Sequence, residues 1–103
     1  MSEKEFNIQE TDEEMTISLM GRINMHNVGI LRKDLFNAID SSSKSVILNL
    51  RKTRYIDSSG IGFLLQMHQK LVESGRELTF TGLNEDITRT FRVSGLLDVL
   101  KIS

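Results

Sequence analysis

The run Val46-Ile47-Leu48-Asn49-Leu50 is almost wholly apolar and partly β-branched, the composition of a strand covered on both faces. It lies between two segments of helical period. Ahead of it, Val28, Leu31, Leu35, Ala38 and Ile39 fall on one face of a helix that Asn27 is placed to cap. Behind it, Ile61, Leu64, Leu65, His68, Leu71 and Val72 form a second stripe that ends near Gly75. Strands joined through helices need crossover connections, which are right-handed. The fold is thereby narrowed to an α/β class with a mostly parallel, mixed sheet and helices packed on it.

The flanking segments complete the order. Phe6-Asn7-Ile8-Gln9-Glu10 and Met15-Thr16-Ile17-Ser18-Leu19 alternate apolar with polar around Thr11-Asp12-Glu13-Glu14, which predicts a hairpin with one wet face. Gly21 breaks its second strand. Leu78-Thr79-Phe80-Thr81 reads as a further strand, and Asn84 caps a third helix bearing Ile87, Phe91 and Val93. Gly95 stops that helix, leaving Leu97-Asp98-Val99-Leu100 as a last short strand. The expected order is β-β-α-β-α-β-α-β, and 103 residues fit one domain over 1–103. A domain of this size buries only about 60–65% of its unfolded surface, enough for a core but not for a deep cavity besides. That favours a binding module over an enzyme.

Composition removes several function classes. Thirteen Lys and Arg stand against fourteen Asp and Glu, with no sustained basic run, so no nucleic-acid partner is expected. No cysteine is present, which excludes disulfides and thiolate metal sites. The start Met1-Ser2-Glu3-Lys4-Glu5 is acidic where a leader would be basic, and no apolar run reaches the roughly 18–20 residues of a membrane helix. The expectation is a cytoplasmic protein without membrane contact, metal or cofactor, monomeric when free.

Asp57-Ser58-Ser59-Gly60-Ile61-Gly62 is the most unusual stretch. It follows a strand region and opens a helix, where unpaired N–H groups and the positive dipole end favour an anion. Gly60 and Gly62 each cost about 1 kcal/mol relative to Ala inside a helix. Their missing Cβ atoms are expected to let another molecule approach the backbone. Asp and Ser are also ordinary helix caps. On these six residues alone, capping and anion recognition both stay open.

Ile56-Asp57-Ser58-Ser59-Gly60-Ile61-Gly62 resembles the signature of the STAS domain, in particular of bacterial anti-sigma factor antagonists. Val46–Leu50 resembles the central strand of that family, Phe91-Arg92-Val93-Ser94-Gly95-Leu96 its C-terminal motif, and Gly21-Arg22-Ile23-Asn24 its Gly-x-hydrophobic-Asp segment. The resemblance implies a partner switch rather than an enzyme, with no catalytic residue of its own. Such proteins bind an anti-sigma factor that is also a serine kinase, and so free a sigma factor. The kinase phosphorylates the serine after the motif Asp, here Ser58, and a PP2C-type phosphatase reverses it. Asn24 stands where the family has an acid, keeping the cap-like geometry without the charge.

Other residues carry weaker signals. Ile30 and Phe63 fall off the main stripes of their helices and are expected, with Asn24, Met25 and His26, to form a partner-binding patch near Ser58. His68 lies inside an apolar stripe and reads as packing. A Ser58–His26 nucleophile pair would make a small serine hydrolase, but no Gly-x-Ser-x-Gly elbow supports it. A stand-alone adaptor subunit of a transporter or stress-signalling scaffold, with Ser58 merely capping, is the other alternative.

Overall fold

The chain begins as expected, with a hairpin of β1 (Phe6–Glu10) and β2 (Glu14–Leu19). Phe6 lies opposite Leu19 and Glu10 opposite Met15. Thr11 Oγ1 closes the turn by accepting from the amides of Glu13 and Glu14 at 3.3 and 3.2 Å. β3 (Gly21–Ile23), α1 (Val28–Asp40), β4 (Ser45–Asn49), β5 (Thr53–Ile56) and α2 (Ser58–Glu73) follow. β6 (Leu78–Thr81), α3 (Glu85–Val93), a 3-10 turn (Leu96–Asp98) and β7 (Lys101–Ile102) complete the order. The computed structural model describes residues 5–103; of the start Met1–Glu5 weighed against a leader, all but Glu5 lie outside them.

The main sheet has the order β1-β2-β4-β6-β7, parallel except for β1. Its burial alternates. Met15, Ile17, Leu19, Val46, Leu48, Leu78 and Phe80 are buried under the helices. Thr16, Ser18, Ile47, Asn49, Thr79 and Thr81, pointing the other way, stay half-exposed. The expectation that Val46–Leu50 is covered on both faces is therefore corrected: helices cover one face only. The shortest dimension of the molecule, 20 Å, is that of one sheet and one helix layer.

A second ladder was not legible in the sequence. Gly21, at a φ of 77°, turns the chain out of β2 into β3, which pairs in parallel with β5. Gly21 N–H donates to Lys52 O at 2.9 Å, and the buried Thr53 hydroxyl donates to Leu19 O at 2.8 Å. The two short strands thus continue the β2–β4 ribbon past a bend, and Ser58 stands just beyond the end of β5.

The helices also depart in part from their expected faces. In α2 the core side is Gly60, Phe63, Leu64, Met67 and Leu71, so its buried stripe is rotated from the one expected. Leu65 is 37% and Val72 54% exposed, whereas Phe63 is fully buried, its ring 5.9 Å from that of Phe36. Phe63 therefore cannot belong to a partner-binding patch. Val93 lies outside the core, and α3 holds on through Ile87 and Phe91, the latter edge-on to Phe80 at 5.8 Å. The final strand falls at Lys101–Ile102, after a 3-10 turn where Leu97–Leu100 was expected to be extended.

Candidate functional site

Three chain segments meet where β5 ends. Asp57 is the N-cap of α2, extended at φ −92° and ψ −175°. Its Oδ1 accepts from Gly60 N–H at 3.0 Å, satisfying one orphan donor of the first turn. Its Oδ2 accepts from Met25 N–H at 3.1 Å, and its own N–H donates to Ile23 O at 3.1 Å. One carboxylate therefore ties the β3–α1 loop to the start of α2. Ser58, the first residue of the helix, is left exposed. Among the described residues its hydroxyl has no hydrogen-bond partner, and the amides of Ser58 and Ser59 have no acceptor.

The glycines divide the motif. A Cβ on Gly60 would stand 2.6 Å from Ile56 Cγ2 and 2.9 Å from Ile23 O. Gly60 is buried and lets α2 settle on the β3–β5 ladder, so it does not open the backbone to another molecule, as expected above. Gly62 differs: nothing lies within 4 Å of where its Cβ would be. Ile61 packs partly against the core. Of the six residues, Asp57 and Gly60 build the turn, while Ser58 and Gly62 present its outer side.

The loop beside it is equally ordered. Asn24 Oδ1 accepts from His26 N–H at 2.9 Å, which needs an oxygen but no charge. Asn24 O accepts from Val28 N–H at 2.9 Å. Asn27 sits at the cap position of α1, but its side chain does not cap the helix as expected. Its Oδ1 accepts from Asn24 N–H at 2.9 Å, and its Nδ2 donates to Arg22 O and Glu5 Oε2, both at 2.6 Å. Met25 and Ile30 are each 69% exposed, and His26 is exposed. A shallow depression of about 740 Å³ runs between Met20, Arg22, Asn24, His26 and Ile30.

Acid–base chemistry finds little support here. Among the described residues no hydrogen bond joins Ser58 to His26, and no three His, Asp or Glu side chains gather as a metal cluster would require. His68 is half-buried on α2. Glu77 lies at the opposite end of the sheet, just before β6. A 2.6 Å hydrogen bond from Lys101, and then the charge of that ammonium, hold it below the ordinary carboxylate range. No described helix is long and apolar enough to cross a membrane.

Comparison with known proteins places this geometry. The family model described as STAS domain matches residues 5–103. An anti-sigma-B factor antagonist of Bacillus subtilis (strain 168) is 24% identical, over 93% of this chain and 87% of its own length. Its namesake in Staphylococcus aureus (strain NCTC 8325 / PS 47) is 25% identical, over 94% of this chain and 92% of its own. Among solved structures, the anti-sigma factor antagonist SpoIIAA in its unphosphorylated form superposes with a TM-score of 0.73 at 21% identity, covering 95% of this chain and 86% of that one. The Bacillus cell fate determinant SpoIIAA in the phosphorylated form gives 0.72 at 24% identity, covering 95% and 90%.

Proposed function

The chain belongs to the STAS domain family, and from that premise we propose that it is an anti-sigma factor antagonist switched by phosphorylation of Ser58. In this reading it is a regulator and not an enzyme. It binds an anti-sigma factor serine kinase, which transfers phosphate to Ser58, and a PP2C-type phosphatase restores the binding form.

The observation that carries the reading is the division of labour at the first turn of α2. Asp57 supplies the cap, so the Ser58 hydroxyl is exposed and has no structural task. A residue that merely capped would be held by the backbone instead. The free amides of Ser58 and Ser59 lie at the positive end of a sixteen-residue helix, a favourable setting for the roughly −1.5 to −2 charges of a phosphoserine. A partner seated on Ser58 would meet that dianion directly. A loss of about 3–4 kcal/mol lowers affinity by two to three decades, enough for a switch.

The fold need not rearrange. The chain superposes about equally well on the unphosphorylated and phosphorylated forms of SpoIIAA, which supports one fold for both states.

The test is phosphate transfer. The anti-sigma serine kinase of the same genome, given ATP, is expected to add one phosphate to the wild-type chain and none to Ser58→Ala, as read by intact mass. Ser58→Ala that still takes up one phosphate would move the acceptor, with Ser59 the next hydroxyl to substitute. A wild-type chain that neither binds nor accepts phosphate would overturn the reading.

A further inference from the structure

The formal net charge of the chain is only −1, but its charges are sorted. At the amino-terminal end of the parallel strands, cations are spent on neighbours: Lys44 on Glu10 at 2.9 Å, Lys70 on Asp40 at 2.8 Å, Lys101 on Glu77 at 2.6 Å. At the carboxyl end, Arg22, Arg51 and Lys52 are exposed, and among the described residues none has a carboxylate within salt-bridge reach. Arg54, next along β5, adds a fourth exposed cation.

These cations form one surface. Lys52 O accepts from Gly21 N–H, which sets the Arg51–Lys52 bend against the start of β3. Met20 stands between them. It lines the depression that holds Arg22, His26 and Ile30, and also a second one of about 270 Å³ that holds Asn49, Arg51 and Lys52. A continuous strip thus runs from the exposed Ile30, past Arg22 and Met20, to Arg51 and Lys52. Among the described residues, Glu5 and Asp57 beside it are engaged elsewhere. Glu5 is bound to the Asn27 amide, and Asp57 turns both oxygens to backbone amides. Asn24 adds no charge.

We propose that this strip is a docking surface for an acidic face of the anti-sigma factor, an inference that rests on the function proposed above. Charge complementarity identifies the occupant. Free cations around a half-exposed methionine, with an isoleucine at one end, fit a protein surface of carboxylates around a small apolar centre. Such cations act chiefly on the rate of encounter, by attraction that salt screens beyond about 10 Å at 0.1 M. The strip recruits the partner, and the Ser58 side of α2 decides whether it stays.

The experiment measures association and dissociation rates with the anti-sigma serine kinase over about a tenfold range of ionic strength. Wild-type association is expected to fall steeply as salt rises. Arg51→Glu/Lys52→Glu is expected to associate at least about tenfold more slowly at low salt, with a flattened salt slope and a nearly unchanged dissociation rate. The neutral pair Arg51→Gln/Lys52→Gln should fall between, and it keeps the test open should the charge reversal fail to fold. A wild-type rate indifferent to salt, or charge-reversed variants that associate as fast as wild type, would overturn the docking surface while phosphate transfer to Ser58 left the function standing. Retention of a duplex DNA oligomer, lost in the same variants, would reassign the strip to nucleic acid and overturn it too. A kinase that neither binds nor phosphorylates the wild type removes both.

Discussion

The first turn of α2 has an inner and an outer side, and the two are built on opposite principles. On the inner side Gly60 and Phe63 are buried, and Asp57 has each carboxylate oxygen and its own N–H in a hydrogen bond. On the outer side, among the described residues, the exposed Ser58 hydroxyl has no hydrogen-bond partner and nothing beyond the helix's own backbone lies within 4 Å of a Cβ built on Gly62. Seven adjacent residues, 57–63, therefore combine a tightly packed joint with a vacant surface. The joint holds the vacant side still, so on the proposed function a partner would find Ser58, Met25 and Ile30 already placed and would lose less entropy in binding them.

The sharpest way to break this contrast is Phe63→Ala against Ile30→Ala. Phe63 is fully buried, and its truncation should cost about 3–5 kcal/mol, lowering Tm by more than about 12 °C for a domain of this size. Ile30→Ala, at an exposed site, should stay within about 0.5 kcal/mol of wild type and weaken kinase binding instead. Thermal unfolding and binding measured on both variants check this. Similar melting temperatures for the two would refute the division between joint and surface.

Next in size is a pair of glycines two residues apart. Gly60→Ala drives a methyl to 2.6 Å from Ile56 Cγ2 and 2.9 Å from a carbonyl oxygen, and overpacking of that kind costs about 1–3 kcal/mol. Gly62→Ala meets nothing and should gain up to about 1 kcal/mol of helix propensity. Opposite signs in chemical denaturation are the expected result. If Gly62→Ala also weakens kinase binding, the outer side is the contact surface.

The sequence showed the outer side better than the inner one, for physical reasons. The turn stood out because Asp57, two serines and two glycines meet where a helix opens, and the family resemblance then singled out Ser58 as the serine after the motif Asp. The rotation of α2 was misread. Of the expected stripe Leu64 and Leu71 are buried, but Ile61, Leu65 and Val72 beside them are apolar too and drew the face away from Phe63 and Met67. A glycine such as Gly60 weighs nothing on a hydrophobic scale although it marks the closest approach. β3 and β5 were hidden because three and four residues containing Arg22 and Arg54 show no alternation. The hairpin, the central strand and the Asn84 cap were legible, since each depends on local chemistry. Asn84 Oδ1 does accept from Ile87 N–H, at 2.8 Å.

A smaller effect isolates the link between the two sides. Asp57→Asn keeps an oxygen for one of the two amides and offers the other an NH₂ group, which cannot accept. The expected cost is about 1 kcal/mol, that of one lost hydrogen bond. With Gly60 still capped, the Met25 amide should exchange faster with solvent while those of the sheet stay protected. Unchanged exchange at Met25 would mean that the loop is held without Asp57.

The smallest expected effect is that of the modification on the fold itself. On the proposed function, phosphate on Ser58 would face the amides of Ser58 and Ser59, which have no acceptor among the described residues, so no rearrangement is needed to receive it. Its charge would also oppose the Asp57 carboxylate, which holds Met25 N–H through Oδ2 and Gly60 N–H through Oδ1. Backbone amide chemical shifts of the two forms should therefore differ at 58–61 and, more weakly, at Met25 and His26. The β1–β2 hairpin and α3 should not move. Ser58→Asp should reproduce only part of the pattern, since it supplies about one charge where a phosphate supplies nearly two. Shifts spread through the hairpin and α3, together with loss of kinase binding, would mean that the switch works by reshaping the fold. Shifts confined to the first turn and its tethered loop, with the same loss of binding, leave charge and bulk at one exposed hydroxyl as the whole of the mechanism.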